Sequence, residues 1–192
     1  MMSKIVILGA GKSGIGAAIL GKKKGYDVLV SDKNEIDENL KDFLNEQGIQ
    51  FEAGKHSIEN MKSADFIIKS PGISSDSDVI KKLIQERKEI ISEIEFAARY
   101  TSAILIGITG TNGKTTTTML TYKILKDSGL NVGIAGNIGD SFAFQVAKNN
   151  FDYYVLEISS FQLDDIREFA PHISVITNIT PDHLDRYNYS FK

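Results

Sequence analysis

No cysteine occurs in the 192 residues. Disulfides, thiolate zinc sites and cysteine nucleophiles are therefore excluded. Nor is there an excess of basic charge: Lys and Arg total 22 against 25 Asp and Glu, a formal net charge of −3. A chain of that balance lacks the positive field that gathers nucleic acid or an anionic membrane surface. Any anionic ligand has to be met by local loops. No apolar run approaches the roughly 20 residues that span a bilayer. The opening MMSKIVILGAGKSG offers only IVIL before glycines begin, which is not a signal-peptide pattern. Internal repeats and low-complexity segments are also lacking. These absences predict a cytosolic protein with neither nucleic-acid nor membrane partners. What is present, 42% apolar and 24% charged residues, is the composition of a soluble globular chain of one or two domains.

Short β-branched runs alternate with longer amphipathic stretches. KIVIL (4–8), YDVLVSD (26–32), IQFEA (49–53) and ADFIIKS (64–70) read as strands. A helix is expected from about Ser13 to Lys24, with Gly25 ending it. ENLKDFLNEQG reads as a helix with Leu40, Phe43 and Leu44 on one face, and DVIKKLIQERK as another with the stripe Val79, Ile80, Leu83 and Ile84. SEIEFAARY suits a linking helix. SAILIGIT, NVGIAG, DYYVLEIS and ISVITNI then read as strands, with helices in TTMLTYKILKDSG and DSFAFQVAKNN. Strands alternating with helices imply βαβ crossovers and parallel sheets. The fold class is α/β: a Rossmann-like parallel-sheet domain over 1–93, then a partial P-loop-type α/β ATPase domain over 94–192. Only about four strands are available to the second domain, which predicts that the chain is part of a longer protein.

Two glycine loops follow strands. GAGKSG (9–14) has the spacing G-x-G-x-x-G, with Gly11 free for close backbone approach and Gly14 for helix packing. Asp32 ends the next strand, where an acid commonly meets a ribose. Taken alone, this unit predicts NAD binding. The second loop, Gly110-Thr111-Asn112-Gly113-Lys114-Thr115-Thr116, is shorter than G-x-x-x-x-G-K-[ST], whose first glycine would fall at Ile108. Its backbone would still wrap phosphates, with Lys114 on the β/γ oxygens and the Thr115 hydroxyl toward Mg²⁺. Such a loop needs a carboxylate on a neighbouring strand, and Glu157, set among Val155, Leu156 and Ile158, is the candidate. Asp182, His183 and Asp185 lie just past another strand end, with His183 a candidate for metal or phosphate. His56 and His172 lack supporting neighbours and are expected on the surface.

GTNGKTTT, LEISSFQL and NITPDHLDRY, together with GAGKSG and SPGI, resemble the Mur ligases of bacterial cell-wall synthesis. The resemblance covers nearly the whole chain and is nearest to the member that adds D-glutamate. It implies a first domain holding the UDP of UDP-N-acetylmuramoyl-L-alanine and a second holding ATP. It implies an ATP-dependent ligation to D-glutamate through an acyl phosphate in peptidoglycan synthesis. By motif, Gly110 to Thr116 would bind the ATP phosphates, with Lys114, Glu157 and His183 catalytic. Thr115, Glu157 and His183 would hold Mg²⁺. Lys12, Ser13, Gly14, Asp32, Lys33 and Gly72 would surround the UDP, and Asn137, Ser159 and Gln162 the muramoyl-peptide end. Lys33-Asn34 departs from the family pattern, and Lys192 lies too near His183 to match a downstream carbamylated lysine. The sites for adenine and D-glutamate are expected beyond residue 192, so this chain is expected to bind the UDP substrate without completing ligation. Two other readings remain open: an NAD-dependent oxidoreductase, which leaves the second loop unexplained, and a non-catalytic nucleotide-binding module, which leaves SSFQL and the first domain unexplained.

Overall fold

A computed structural model describes residues 2–182 and 184. The chain divides into two compact units. In chain order the elements are β1 (Lys4–Leu8), α1 (Lys12–Lys23), β2 (Asp27–Ser31), α2 (Glu38–Glu46), β3 (Gln50–Glu52), α3 (Ile58–Lys62), β4 (Phe66–Lys69), α4 (Asp78–Gln85), β5 (Glu89–Ser92) and α5 (Glu93–Ala98). They continue with β6 (Ile104–Thr109), α6 (Lys114–Asp127), β7 (Val132–Gly136), α7 (Phe142–Lys148), β8 (Tyr153–Glu157), α8 (Ser160–Leu163) and β9 (Ile173–Ile176).

The first unit holds residues 1–102, 140–150 and 161–169. Its sheet is parallel, in the order β3-β2-β1-β4-β5. β1 is central, and Ile5, Val6, Ile7 and Leu8 are all fully buried. That explains why KIVIL is a continuous apolar run rather than an alternating one: helices cover both faces of a parallel sheet. On one face Val6, Leu8, Leu29 and Ile67 pack with Met61, Ile80 and Leu83 of α3 and α4. The two segments from later in the sequence complete this unit. α7 lies against α1 so closely that a Cβ on Gly16 would stand 1.9 Å from Ser141 Oγ and 2.9 Å from the Phe144 nitrogen. Segment 161–169 is held by the buried Lys69, whose ammonium pairs with Asp165 at 2.8 Å. It is held again by Glu95, which accepts hydrogen bonds from the N–H groups of Arg167, Glu168 and Phe169.

The second unit holds residues 103–139, 151–160 and 170 onward. Its sheet is also parallel, in the order β7-β8-β6-β9. Ile106, Ile108, Val132 and Val155 form its core, with Tyr122 and Leu125 of α6 against them.

The parallel α/β class stands as expected. The division is not a single cut after residue 93. α5, read as a linking helix, belongs to the first unit, as do α7 and segment 161–169, because their buried contacts lie there. α3 and β5 were not expected. The helix over 78–88 stops at Gln85, and Arg87 at φ 55° turns the chain into β5. Within α4, Ile80 and Leu83 are buried, whereas Ile84 is 60% exposed. Among the described residues, no helix is long and apolar enough to cross a membrane.

Candidate functional site

Three helices, α2, α5 and α7, are capped by side chains: Asp37 accepts from the Leu40 N–H, Ser92 from Glu95, and Ser141 from Phe144. The helices after the two glycine loops differ. α1 starts at Gly11 and α6 at Gly113, with no side-chain cap and no acidic residue in the first turn. Their first N–H groups lack helical acceptors and sum to a partial positive charge, the arrangement that receives an anion.

In the first unit, Gly9 takes φ +95°, and a Cβ on Gly14 would stand 1.9 Å from the Gly9 carbonyl oxygen. Gly14 thus lets α1 seat on the loop. Gly11 and Gly72 face open space, where a Cβ would meet nothing within 4 Å. Lys12, Ser13 and Gly14 open α1, with Lys12 exposed. The turn after β4 flanks the loop: the Ser70 N–H donates to the Leu8 carbonyl, and Lys69 Nζ donates to the Ile73 carbonyl at 2.9 Å. Ser70 Oγ is buried there without a hydrogen-bond partner among the described residues. Asp32 has a role the sequence did not suggest. Its carboxylate accepts from the Ala10 N–H at 2.8 Å and the Asn34 N–H at 2.9 Å, so it braces the glycine loop. Lys33 follows, exposed. His56 is not a free surface residue: it is half-buried, with Nδ1 2.7 Å from Ser31 Oγ.

In the second unit the loop is held from below by the segment after β9. The Thr111 N–H donates to the Asn178 carbonyl, and the Asn112 N–H to Asn178 Oδ1, both at 3.0 Å. Thr177 Oγ1 and Asn178 Nδ2 both donate to the Asn112 carbonyl. Gly110 has φ +131°, and a Cβ on it would collide with Thr177 Oγ1 at 2.2 Å. The bracing role of Thr177 and Asn178 was missed. The Thr-Asn at a strand end was the available signal, because short polar side chains after a strand hydrogen-bond neighbouring backbone. Lys114 Nζ donates to the carbonyls of Gly110 and Thr111 at 2.7 and 2.9 Å, which leaves one of its three protons. Thr115 and Thr116 are exposed in the first turn of α6.

Glu157 ends β8 opposite Ile108 of β6 and Gly136 of β7. It is 1% exposed. Oε1 accepts from Asn137 Nδ2 at 2.7 Å, and Oε2 is buried with no hydrogen-bond partner among the described residues. An unpaired carboxylate oxygen in the interior is costly unless a cation or donor reaches it. Glu157 and the Thr115 hydroxyl are oxygen donors of the kind that could hold a Mg²⁺ ion. Among the described residues, no three His, Asp or Glu cluster as a self-sufficient metal site. His183 and Asp185 lie outside the described residues. Ser159 follows β8 in the second unit, whereas Gln162, buried, belongs to the first. His172, expected without a role, accepts the Leu105 N–H at 3.1 Å at the start of β6.

The profile of the MurD N-terminal domain matches residues 4–79, and that of the Mur ligase middle domain matches residues 108–190. The UDP-N-acetylmuramoylalanine–D-glutamate ligase of Bacteroides fragilis is 56% identical over 188 residues, 98% of this chain and 42% of that protein. The ligase of the same name from Christiangramia forsetii is 52% identical over 192 residues, 100% of this chain and 43% of that one. The chain thus spans less than half the length of these relatives. Among solved structures, the UDP-N-acetylmuramate:L-alanyl-gamma-D-glutamyl-meso-diaminopimelate ligase from Neisseria meningitides aligns with a TM-score of 0.63 at 22% identity, over 97% of this chain and 64% of that one. At that identity the likeness concerns the fold alone.

Proposed function

The chain belongs to the Mur ligase family, and on that premise we propose that it forms part of an ATP-dependent carboxylate–amine ligase that joins D-glutamate to UDP-N-acetylmuramoyl-L-alanine in peptidoglycan synthesis, a cytoplasmic reaction. The observation that carries this reading is Glu157. A buried carboxylate with one unpaired oxygen, at a strand end beside a Gly-Lys-Thr loop, suits phosphoryl transfer.

In this reading the loop from Gly110 to Thr116 holds the ATP phosphates through the N–H groups opening α6, and Lys114 turns its ammonium to the transferred group. Thr115 and Glu157 would hold one Mg²⁺, and His183 a second. Held by these residues, the metal would supply neutralisation of phosphate charge as one anion attacks another. The substrate carboxylate takes the γ-phosphoryl group, ADP leaves, and an acyl phosphate forms. The amine nitrogen of D-glutamate then adds to the acyl carbon, loses a proton and expels phosphate. The chain's part is positioning and charge stabilisation. Lys12, Ser13, Gly14, Asp32, Lys33 and Gly72 hold the UDP, with Asp32 acting through the loop it braces. Asn137, Ser159 and Gln162 serve the muramoyl-peptide end.

Calorimetric titration of this chain tests the reading, with UDP-N-acetylmuramoyl-L-alanine, MgATP and NAD as separate ligands. Saturable binding of the UDP compound and none of NAD is expected. Binding of NAD alone would return the first loop to a dehydrogenase. The 192 residues are expected to bind without ligating, and D-glutamyl product formed by this chain alone would overturn that.

A further inference from the structure

Beside the first glycine loop stands a relay of three polar side chains that the proposed reaction leaves unused. Ser31, the last residue of β2, is fully buried. Its hydroxyl lies 2.7 Å from Glu52 Oε1 and 2.7 Å from His56 Nδ1, with the Lys55 carbonyl farther off at 3.4 Å. A hydroxyl has one proton to give. The Glu52 carboxylate is the strongest acceptor in reach, because charged acceptors make the shorter and stronger bonds. Burial alone would raise the Glu52 pKa, but hydrogen bonds from Ser57, Ser31 and Asn60 hold it below its ordinary value. With the Ser31 proton committed to Glu52, His56 Nδ1 has to be the donor in the remaining contact. Burial holds the imidazole pKa below its usual value, against the pull of Asp32 and Glu52 and with the push of Lys33. At neutral pH the ring therefore carries one proton, on Nδ1. Nε2 is left as an acceptor of fixed direction.

The position of the ring matters as much as its tautomer. His56 follows β3 in a loop whose Gly54 N–H donates to the Asn34 carbonyl. The ring thus flanks Asp32 and Lys33 at the carboxyl end of β2. In sheets of this order the phosphates sit at the first helix N-terminus and the nucleoside extends over the second strand. An acceptor beyond that strand stands on the side toward which the base would extend.

We propose that His56 reads the base of the bound nucleotide, with Nε2 accepting the N3–H of a uracil ring and Ser31 and Glu52 fixing the tautomer. The inference rests on the first loop being a UDP site. It adds a selectivity: uracil carries hydrogen at N3, whereas cytosine presents a lone pair there and would face Nε2 as acceptor against acceptor.

The test is calorimetric, with UDP, CDP and N3-methyl-UDP titrated into the 192-residue chain and into its His56→Phe and His56→Gln variants. The wild type is expected to favour UDP over both analogues by about tenfold, and His56→Phe to weaken UDP about fivefold and lose the preference, the scale of one net hydrogen bond. His56→Gln, which sets an amide oxygen near the place of Nε2, is expected to keep part of the preference. An unchanged preference in His56→Phe overturns the inference and leaves the UDP reading intact. Failure of the wild type to bind UDP overturns both. Nitrogen-15 NMR of the wild-type imidazole is independent of the variants: an Nδ1-protonated ring is expected, and an Nε2-protonated one sinks the proposal.

Discussion

Asn137 and Glu157 are joined twice at neighbouring strand ends: the Asn137 amide donates to Glu157 Oε1 at 2.7 Å, and its backbone N–H donates to the Glu157 carbonyl at 2.8 Å. The approach depends on Gly136, at φ +106°, where a Cβ would stand 2.3 Å from that same carbonyl oxygen. The double bond fixes one carboxylate oxygen and turns the other inward, unpaired. Glu157→Gln is expected to leave the fold intact while weakening Mg²⁺-dependent ATP binding by at least about tenfold, since one charge-assisted ligand is lost. Titrations of ATP with Mg²⁺ and with chelator separate the two effects. Equal affinity of wild type and variant for MgATP would remove Glu157 from the metal site.

Glu93 gives a pH dependence of stability. It is wholly buried, one oxygen accepts the Ala143 N–H, and burial pushes its carboxyl up to about 7 from an ordinary 4.5. Between those values the folded chain holds a proton that the unfolded chain releases, so stability falls as pH rises from about 4.5 to about 7 and stays reduced above. The loss is at most about 3 kcal/mol by linkage. Glu93→Gln keeps an acceptor for Ala143 and removes the charge. Denaturant melts at pH 5 and pH 8 are expected to show a drop in the wild type and a flatter profile in the variant.

The Lys69–Asp165 pair predicts an asymmetry. The Lys69 side chain is 0% exposed and that of Asp165 17%. Asp165→Ala strands a buried ammonium and is expected to cost about 3 kcal/mol, whereas Lys69→Met, which takes the charge away and refills the volume, costs less. Hydrogen exchange should report both: the amides of Arg167, Glu168 and Phe169 lose more protection in Asp165→Ala. A larger loss in Lys69→Met would contradict the assignment.

Gly16→Ala tests the seating of α7 on α1. The added methyl meets the Phe144 backbone nitrogen at 2.9 Å, an atom that no rotamer change can move aside. Overpacking of this kind costs about 1–3 kcal/mol. At about 2–4 °C per kcal/mol for a chain of this size, Tm is expected to fall by about 2–12 °C. A calorimetric scan in which Gly16→Ala melts with the wild type would show that the helices can separate freely.

The strand–loop–helix units at residues 4–23 and 104–127 were legible because apolar runs, glycines and helical periodicity point the same way there. Other features were hidden by their nature. β5 followed a helical pattern without a glycine or proline to mark the break, and Arg87 supplied the turn instead. His56 looked alone because its partner, Ser31, ends β2 and is itself bonded to Glu52 of β3. Glu95 reads as an ordinary helical charge until three amides from residues 167–169 arrive on it. The pattern DSFAFQVAKNN specified a helix but not the surface it covers. Local periodicity fixes which face is apolar, and only tertiary packing decides what that face meets.

The first unit is assembled from three stretches of sequence, with pieces of the second threaded between them. Heredity deals with such a unit differently from one encoded in a single block. A recombination event joining this gene to another at residue 102 would carry the first sheet without α7 or segment 161–169, leaving Gly16 facing nothing and Lys69 without Asp165. Exchange of the first unit alone would require several matched breakpoints at once. The two halves are therefore expected to be inherited together, and changes in substrate to arise by substitution within them.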